Sequence, residues 1–257
     1  MLRADEATVP LTDEGFLRGD AVFEAMLVRH GRTHARRQHL ARLARSAAAV
    51  QLPLPEATVA QAIDELLLAW GPGDGAIRVI VTRGGAVRGL IGAVSWPDSL
   101  HLAVVEMPWH SVLSGVKTLS YAANQWALRQ AQDTGADDAL ILDQGRVQEL
   151  PTGAIVLIHD RGCSTPDPAR LPILASVSVE VLREVVTVTP ATPGLEELAS
   201  ADEAMVVSAT RPCLPVRAIT LPDGTIRRLP APGPVTSALR ARLDEHLTAT
   251  LDPGPTA

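Results

Sequence analysis

Two hydrophobic patterns alternate along the first 107 residues, and this alternation restricts that part of the chain to a mixture of strands and helices. Continuous apolar runs bounded by turn residues predict strands, and apolar residues at a spacing of three to four predict amphipathic helices. The predicted elements are a strand at 21–28, helices at 36–52 and from near Pro55 to Gly71, and strands in GAIRVIVTRGG (75–85) and SLHLAVVEMP (99–108).

The pattern breaks at PWHSVLSG, residues 108–115, which predicts a hinge. We therefore expect a smaller domain at 1–107, a linker at 108–114 and a larger domain at 115–257. The second half again mixes both element types, so the predicted fold class is α/β (α+β). Its predicted elements are a helix ending at Gly135, strands in DDALILDQGRVQEL (137–150) and GAIVLI (153–158), a helix within PILASVSVEVLREV (172–185), two strands in DEAMVVSATRPCLPVRAI (202–219) and a closing helix at 233–247.

The composition is that of an ordinary globular protein, with 46% hydrophobic and 20% charged residues. A formal charge of −6 argues against a nucleic-acid or anionic-membrane partner. No apolar run reaches the length of a membrane span and no leader pattern opens the sequence, so we expect a cytoplasmic protein. Cys163 and Cys213 have neither metal-binding nor redox spacing, and no metal site is predicted.

One lysine stands out in this chain. Of the 23 lysine and arginine residues, Lys117 is the only lysine. Arginine replaces lysine for solubility or phosphate binding, but its guanidinium does not deprotonate and cannot act as an amine nucleophile. Imine chemistry needs a primary amine that can lose a proton. The retention of Lys117 therefore favours a Schiff-base role over an incidental surface position.

The residues around Lys117 carry a family resemblance. The stretch VKTLSYAANQWALRQAQDTGADDALILDQGRVQEL (116–150) resembles the signature region of the class IV aminotransferase-like enzymes, which use pyridoxal phosphate (PLP) on fold type IV. Four more blocks in the same order resemble that family: LTDEGFLRGDAVFEAM (11–26), HLARLARSA (39–47), PILASVSVEVL (172–182) and DEAMVVSATRPCLPV (202–216). The implied fold is the two-domain fold of D-amino-acid aminotransferases.

The resemblance implies a role for several residues. Lys117 would form the Schiff base with PLP and then move protons with its freed amine. Glu149 would pair with the pyridine nitrogen and keep it protonated. Arg42, in the HLARL block, would bind the cofactor phosphate. Tyr121, the only tyrosine, would lie near the cofactor's phenolic oxygen.

The same resemblance implies a phosphate site made by two backbone segments. The first contains Leu174 and leads into a helix at Val177 and Ser178, where free amides favour an anion. The second is the turn of Ser208, Ala209 and Thr210. The family often has threonine where this chain has Ala209, and the sequence leaves open whether Ser208 or Thr210 replaces it.

Several reactions remain open within this family. The segment VTRGGAVRGL resembles one in aminodeoxychorismate lyases, which implies Arg83 and Arg88 as ligands of a dicarboxylate substrate and 4-aminobenzoate plus pyruvate as products. A strand followed by a basic turn explains the same segment equally well. The alternatives are a class IV aminotransferase acting on D-amino acids, branched-chain amino acids or amines, and a pseudoenzyme with or without PLP. The expected partners are a small-molecule amino substrate and a second copy in a homodimer.

Overall fold

The computed structural model of the chain describes residues 6–160 and 162–255. These residues divide into two compact units. The first unit contains the described residues up to Ser95, together with Val116–Tyr121 and the segment from Leu247. The second unit contains Trp96–Gly115 and Ala122–His246.

This division differs from the expected boundaries at 107 and 115. The strand that ends at Glu106 belongs to the second unit because it pairs with strands of that unit on both sides. Val116–Tyr121 belongs to the first unit, where Thr118 forms a β-bridge with Val22. Backbone pairing therefore places the earlier segment, which ends at Glu106, in the second unit and the later segment, Val116–Tyr121, in the first unit. The outermost residues of the expected domains, 1–5 and 256–257, lie outside the described residues.

The first unit is built on a four-stranded antiparallel sheet with strand order β2-β1-β3-β4. Its helices and strands are α1 (Glu14–Arg18), β1 (Ala21–Arg29), β2 (Arg32–Thr33), α2 (Arg36–Ala49), α3 (Glu56–Trp70), β3 (Gly75–Thr82) and β4 (Val87–Gly92).

One face of this sheet packs against α2 and α3. Successive side chains of a strand point to opposite faces, so every second residue of β1 and β3 is available to the helices. The core of the unit has this composition: Val22, Met26 and Val28 from β1, Ile77, Val79 and Val81 from β3, and Leu43, Ala47, Val59, Ile63 and Leu67 from the helices. Complete burial of each large aliphatic side chain contributes about 1.5–3 kcal/mol.

A charged cluster lies within this apolar face. Glu24 of β1 is fully buried and accepts hydrogen bonds from Nε and Nη2 of Arg42, at 2.7 and 2.8 Å. His39 Nδ1 lies 2.8 Å from the same carboxylate. Burial by itself raises the pKa of Glu24, but the hydrogen bonds and charges of Arg42 and His39 outweigh it and lower the pKa to about 2.

The second unit is built on a mixed nine-stranded sheet with the order β10-β9-β8-β11-β12-β5-β6-β7, and β13 pairs with β12. Its elements are β5 (Leu100–Glu106), α4 (Ala122–Asp133), β6 (Asp138–Asp143), β7 (Arg146–Val147), β8 (Ala154–His159), β9 (Gly162–Pro166), α5 (Val177–Arg183), β10 (Val188–Ala191), α6 (Leu195–Ser200), β11 (Glu203–Val207), β12 (Leu214–Thr220), β13 (Ile226–Arg228) and α7 (Pro234–Ala249), whose last turn is counted with the first unit.

Helix α4 packs closely against the sheet because small residues line the contact. Ala127 and Ala131 of α4 meet Ala103 of β5 and Ala139 of β6, and all four are almost completely buried. A larger apolar cluster, which includes Leu102, Leu140, Ile155, Leu157 and Val206, forms the main core of this unit.

The predicted mixed α/β fold is confirmed. The strand expected at 21–28 is β1, and the helix expected between Pro55 and Gly71 is α3, at Glu56–Trp70. Residues 87–92, which overlap the segment interpreted either as a lyase-like motif or as a basic turn, form the edge strand β4. Among the described residues, no helix combines the length and the apolar character that crossing a bilayer requires.

We expect Glu24→Gln to lower the free energy of unfolding by about 3–5 kcal/mol at pH 7, because it leaves the buried Arg42 guanidinium without its counter-charge. The folded-state pKa of Glu24 is about 2, against an ordinary value of 4.5. The stabilisation is therefore complete above pH 4.5 and is lost as the pH falls towards 2. Urea unfolding at pH 7 and pH 3 measures the free energy of unfolding of both proteins. The difference between variant and wild type should be smaller at pH 3.

The matched control is Glu14→Gln, which removes an exposed ion pair with Arg18 on α1. This variant should keep the wild-type urea midpoint at both pH values, since exposed pairs contribute little. A Glu24→Gln gap that does not depend on pH would contradict the assignment of the stabilisation to the ionised carboxylate.

Candidate active site

The backbone around Lys117 is fixed against β1. Phe23 N–H donates to the Lys117 carbonyl at 3.1 Å, and Leu119 N–H donates to the Ala21 carbonyl at 3.0 Å. Lys117 N–H donates to the hydroxyl of Ser46 on α2 at 3.1 Å, one turn beyond Arg42. The position of the lysine is therefore set by hydrogen bonds to two elements of its own unit.

Two aromatic side chains surround the Lys117 amine. Its Nζ lies 3.5 Å from the Tyr121 hydroxyl and 4.5 Å from the ring centroid of Phe23. The two rings meet edge to face with centroids 5.2 Å apart. Phe23 is one of two phenylalanines in the chain and Tyr121 is the only tyrosine. The predicted site residues Lys117 and Tyr121 are thus in contact with each other, and Phe23 is a residue that the sequence analysis missed.

Arg42 is buried, and two of its guanidinium nitrogens bind both oxygens of Glu24. This bidentate contact fixes the plane of the guanidinium. Glu24 was not singled out in the sequence, although it belongs to the quoted block that ends in FEAM. Arg42, the residue expected to bind the cofactor phosphate, is thus also a member of a buried ion pair.

Glu149 lines a pocket in the second unit, together with Leu174, Ser176 and Val179. The indole Nε1 of Trp109 donates to Glu149 Oε1 at 3.1 Å, and the Leu174 amide lies 3.2 Å from Oε2. The carboxylate is therefore oriented by two neutral donors. Leu174, expected among the cofactor ligands, uses its amide on Glu149, and Trp109 was not predicted.

The segment before α5 ends in a helix cap. The Ser176 hydroxyl accepts a hydrogen bond from the Val179 amide at 3.3 Å. Within the described ranges, no acceptor is found for the amides of Val177 and Ser178, as is usual for the first turn of a helix. These two amides are donors that an anion can use.

The turn that follows β11 is held by a buried arginine. The Ser208 hydroxyl accepts from the Arg211 amide at 3.1 Å, and the guanidinium of Arg211 donates to Asp138 at 3.0 Å and to the Thr152 hydroxyl. The Ser208 oxygen is thus already engaged within the turn. The Thr210 hydroxyl and the amides of Ala209 and Thr210 have no partner among the residues that the structure describes.

Asp138 is the counter-charge of the Arg211 guanidinium that holds this turn. Burial raises the pKa of the Asp138 carboxyl above its ordinary value, and the nearby Arg211 guanidinium lowers it by less. Both side chains are almost completely buried. Loss of either partner would leave a buried charge uncompensated.

The two arginines expected near the substrate have different surroundings. Arg83 binds both oxygens of Asp20 and also donates to the Val50 and Gln51 carbonyls. Arg88 lies on β4, is half-buried and makes its described hydrogen bond to the carbonyl of the preceding residue. Arg83 therefore has internal acceptors for its guanidinium, whereas Arg88 has no carboxylate partner within the described residues.

The chemistry of these groups fits pyridoxal phosphate. An aldehyde needs a primary amine, which Lys117 would supply, and a protonated pyridine nitrogen needs a carboxylate, which Glu149 would supply in a pocket. A phosphate needs several N–H and O–H donors, and two segments of the second unit offer them. No cluster of three or more His, Cys, Asp or Glu side chains that could hold a metal ion occurs among the described residues.

Known proteins resemble the chain over most of its length. It is 31% identical over 206 residues to a bifunctional aminodeoxychorismate lyase/D-amino acid transaminase of Mycobacterium tuberculosis, covering 67% of this chain and 71% of the relative. It is 26% identical to a D-alanine aminotransferase of Bacillus licheniformis, covering 96% and 94%.

Among solved structures, a hypothetical aminotransferase from Mycobacterium tuberculosis in its PLP-bound form superposes with a TM-score of 0.84 at 27% identity, covering 96% of both chains. The sequence model of the family described as amino-transferase class IV matches residues 21–219. The chain therefore belongs to the class IV amino-transferases, a family of PLP-dependent enzymes.

Proposed function

We propose that this PLP-dependent enzyme is a lyase that converts aminodeoxychorismate into 4-aminobenzoate and pyruvate. The observation that carries the proposal is the sheet face beside Lys117. The registers Phe23↔Ile80 and Ile80↔Arg88 place an aromatic, an aliphatic and a basic side chain side by side on that face. An apolar surface next to an arginine suits a flat ring that bears a carboxylate.

In this proposal Arg42 and the two donor segments bind the cofactor phosphate. Glu24 holds the Arg42 guanidinium in one orientation, so less conformational entropy is lost on binding. Val177 and Ser178 contribute backbone amides, and the turn of Ser208, Ala209 and Thr210 contributes further donors. We assign the hydroxyl contact to Thr210, because the Ser208 oxygen already accepts from Arg211.

When bound, the cofactor withdraws electrons from the bonds next to the substrate nitrogen. Glu149, oriented by Trp109 and Leu174, supports this by holding a proton on the pyridine nitrogen. Lys117 would anchor the cofactor until the substrate amine takes its place. Its freed amine would remove the ring proton beside that nitrogen and return a proton to the enolpyruvyl group as the bond from that group's oxygen to the ring breaks, which would release pyruvate and leave an aromatic ring. Tyr121 keeps the amine in place through its hydroxyl.

Transamination of D-amino acids is the second candidate. The alignment with a D-alanine aminotransferase over 96% of this chain favours it, as does a relative that combines both activities. Lys117 removes a proton in both reactions and returns it to the cofactor carbon only in transamination. From the family resemblance alone, we also propose a homodimer located in the cytoplasm.

The two candidates predict different products. Incubation of the holoenzyme with aminodeoxychorismate should release fluorescent 4-aminobenzoate and an equal amount of pyruvate. D-Alanine plus 2-oxoglutarate should give little or no D-glutamate. Lys117→Ala should abolish either activity, because no other lysine can replace it. Transamination without any 4-aminobenzoate would replace the first candidate by the second.

Trp109→Phe tests the orientation of Glu149. It removes one neutral hydrogen bond to the carboxylate and leaves the Leu174 amide, which corresponds to about 0.5–1.5 kcal/mol. We expect the dissociation constant of PLP to rise about two- to tenfold, with the fold intact, as measured by absorbance titration. The control is Trp126→Phe, on the exposed side of α4, and it should leave PLP affinity unchanged. Equal effects of the two variants would contradict the role given to Trp109.

Thr210→Val and Ser208→Ala test which hydroxyl meets the phosphate. We expect Thr210→Val to weaken the binding of PLP about tenfold, and that of pyridoxal, which has no phosphate, by less than twofold. Ser208→Ala should weaken the binding of PLP less, because the Ser208 oxygen accepts a hydrogen bond from Arg211. The reverse order of the two variants would assign the phosphate contact to Ser208.

A further inference from the structure

A second arginine lies on the same sheet face as Arg88. Arg78 pairs with Leu90 of β4 and with Ala25 of β1 in the antiparallel register, next to the pair of Ile80 and Arg88. Residues at such diagonal positions point to the same face, within reach of long side chains. Arg78 and Arg88 are therefore neighbouring cations on one surface.

Neither arginine is paired with an acidic side chain among residues 6–160 and 162–255. Arg78 is exposed and forms no ion pair or hydrogen bond with any described residue, and Arg88 bonds only the carbonyl of Val87. Two other arginines of this unit do bind carboxylates: Arg36 pairs with Asp64, and Arg83 pairs with Asp20. In a chain of net charge −6, two adjacent arginines without an acid are an arrangement that an anionic ligand would stabilise.

This pair is close to the reactive amine. The Arg78 guanidinium carbon lies 5.0 Å from the ring centroid of Phe23, and Lys117 Nζ lies 4.5 Å from the same centroid. The Lys117 amine and the Arg78 guanidinium are thus both close to the ring of Phe23. A ligand whose nitrogen replaces the lysine amine can extend a carboxylate over Phe23 towards Arg78.

From this geometry we infer that Arg78 binds a second carboxylate of the substrate, so that Arg78 and Arg88 together select amino substrates with two carboxylates. The inference rests on the proposed function and adds a specificity-determining residue to it. Phe23, Ile80 and Leu90 supply the apolar surface for the carbon skeleton that joins the two anionic groups.

Binding of two unreactive probes to the PLP-loaded enzyme tests the inference by calorimetry. Chorismate has two carboxylates and a hydroxyl in place of the amine, and 4-hydroxybenzoate has one carboxylate. We expect Arg78→Leu to weaken chorismate binding about ten- to hundredfold, as for loss of one charge-assisted hydrogen-bonded contact. Binding of 4-hydroxybenzoate should change less than twofold, and Arg78→Lys should recover part of the chorismate affinity.

Arg228→Leu is the matched control, since Arg228 is an exposed strand arginine of the second unit, and it should leave both affinities unchanged. Equal losses for the two probes, unchanged chorismate binding in Arg78→Leu, or a wild type without preference for chorismate would each overturn the inference. Because the probes do not react, absence of 4-aminobenzoate formation would reject the lyase activity without deciding this result.

Discussion

The alternation of side chains along β1 is the constraint on which the first unit depends. Phe23 points to the face that carries Lys117, and its neighbour Glu24 points to the opposite face, where it binds Arg42 and His39 of α2. A shift of one residue in the pairing of β1 and β3 would exchange these two faces. Lys117 and the buried charges are therefore placed by the same register.

Two buried ion pairs support the proposed phosphate ligands. Glu24 fixes Arg42 in the first unit, and Asp138 fixes Arg211 below the turn of Ser208 and Thr210 in the second. Replacing a whole buried pair by apolar residues often costs little stability, because desolvation offsets the attraction of the pair, whereas removing one partner leaves the other charge uncompensated. The effect of these two pairs is geometric: each holds a donor in one orientation before a ligand arrives. This geometric role explains why charged side chains are present in these otherwise apolar interiors.

The sequence predicted what depends on local pattern. Periodicity located most helices and strands, and the count of one lysine identified Lys117. It missed Phe23, Trp109 and the proposed ligand Arg78, because their contacts arise only when distant strands and loops pair in register. Arg83 illustrates the same limit: its motif is local, but the acceptors for its guanidinium, Asp20 and the end of α2, are distant in the chain.

The most direct test of the account is to trap the cofactor on the protein. Because Lys117 is the only lysine, the α-amino terminus is the sole competing amine. Borohydride reduction of the PLP-loaded enzyme, followed by peptide mass spectrometry, should place one phosphopyridoxyl group on the peptide that contains Lys117. A group found only at the amino terminus, or no modification at saturating PLP, would contradict the central claim.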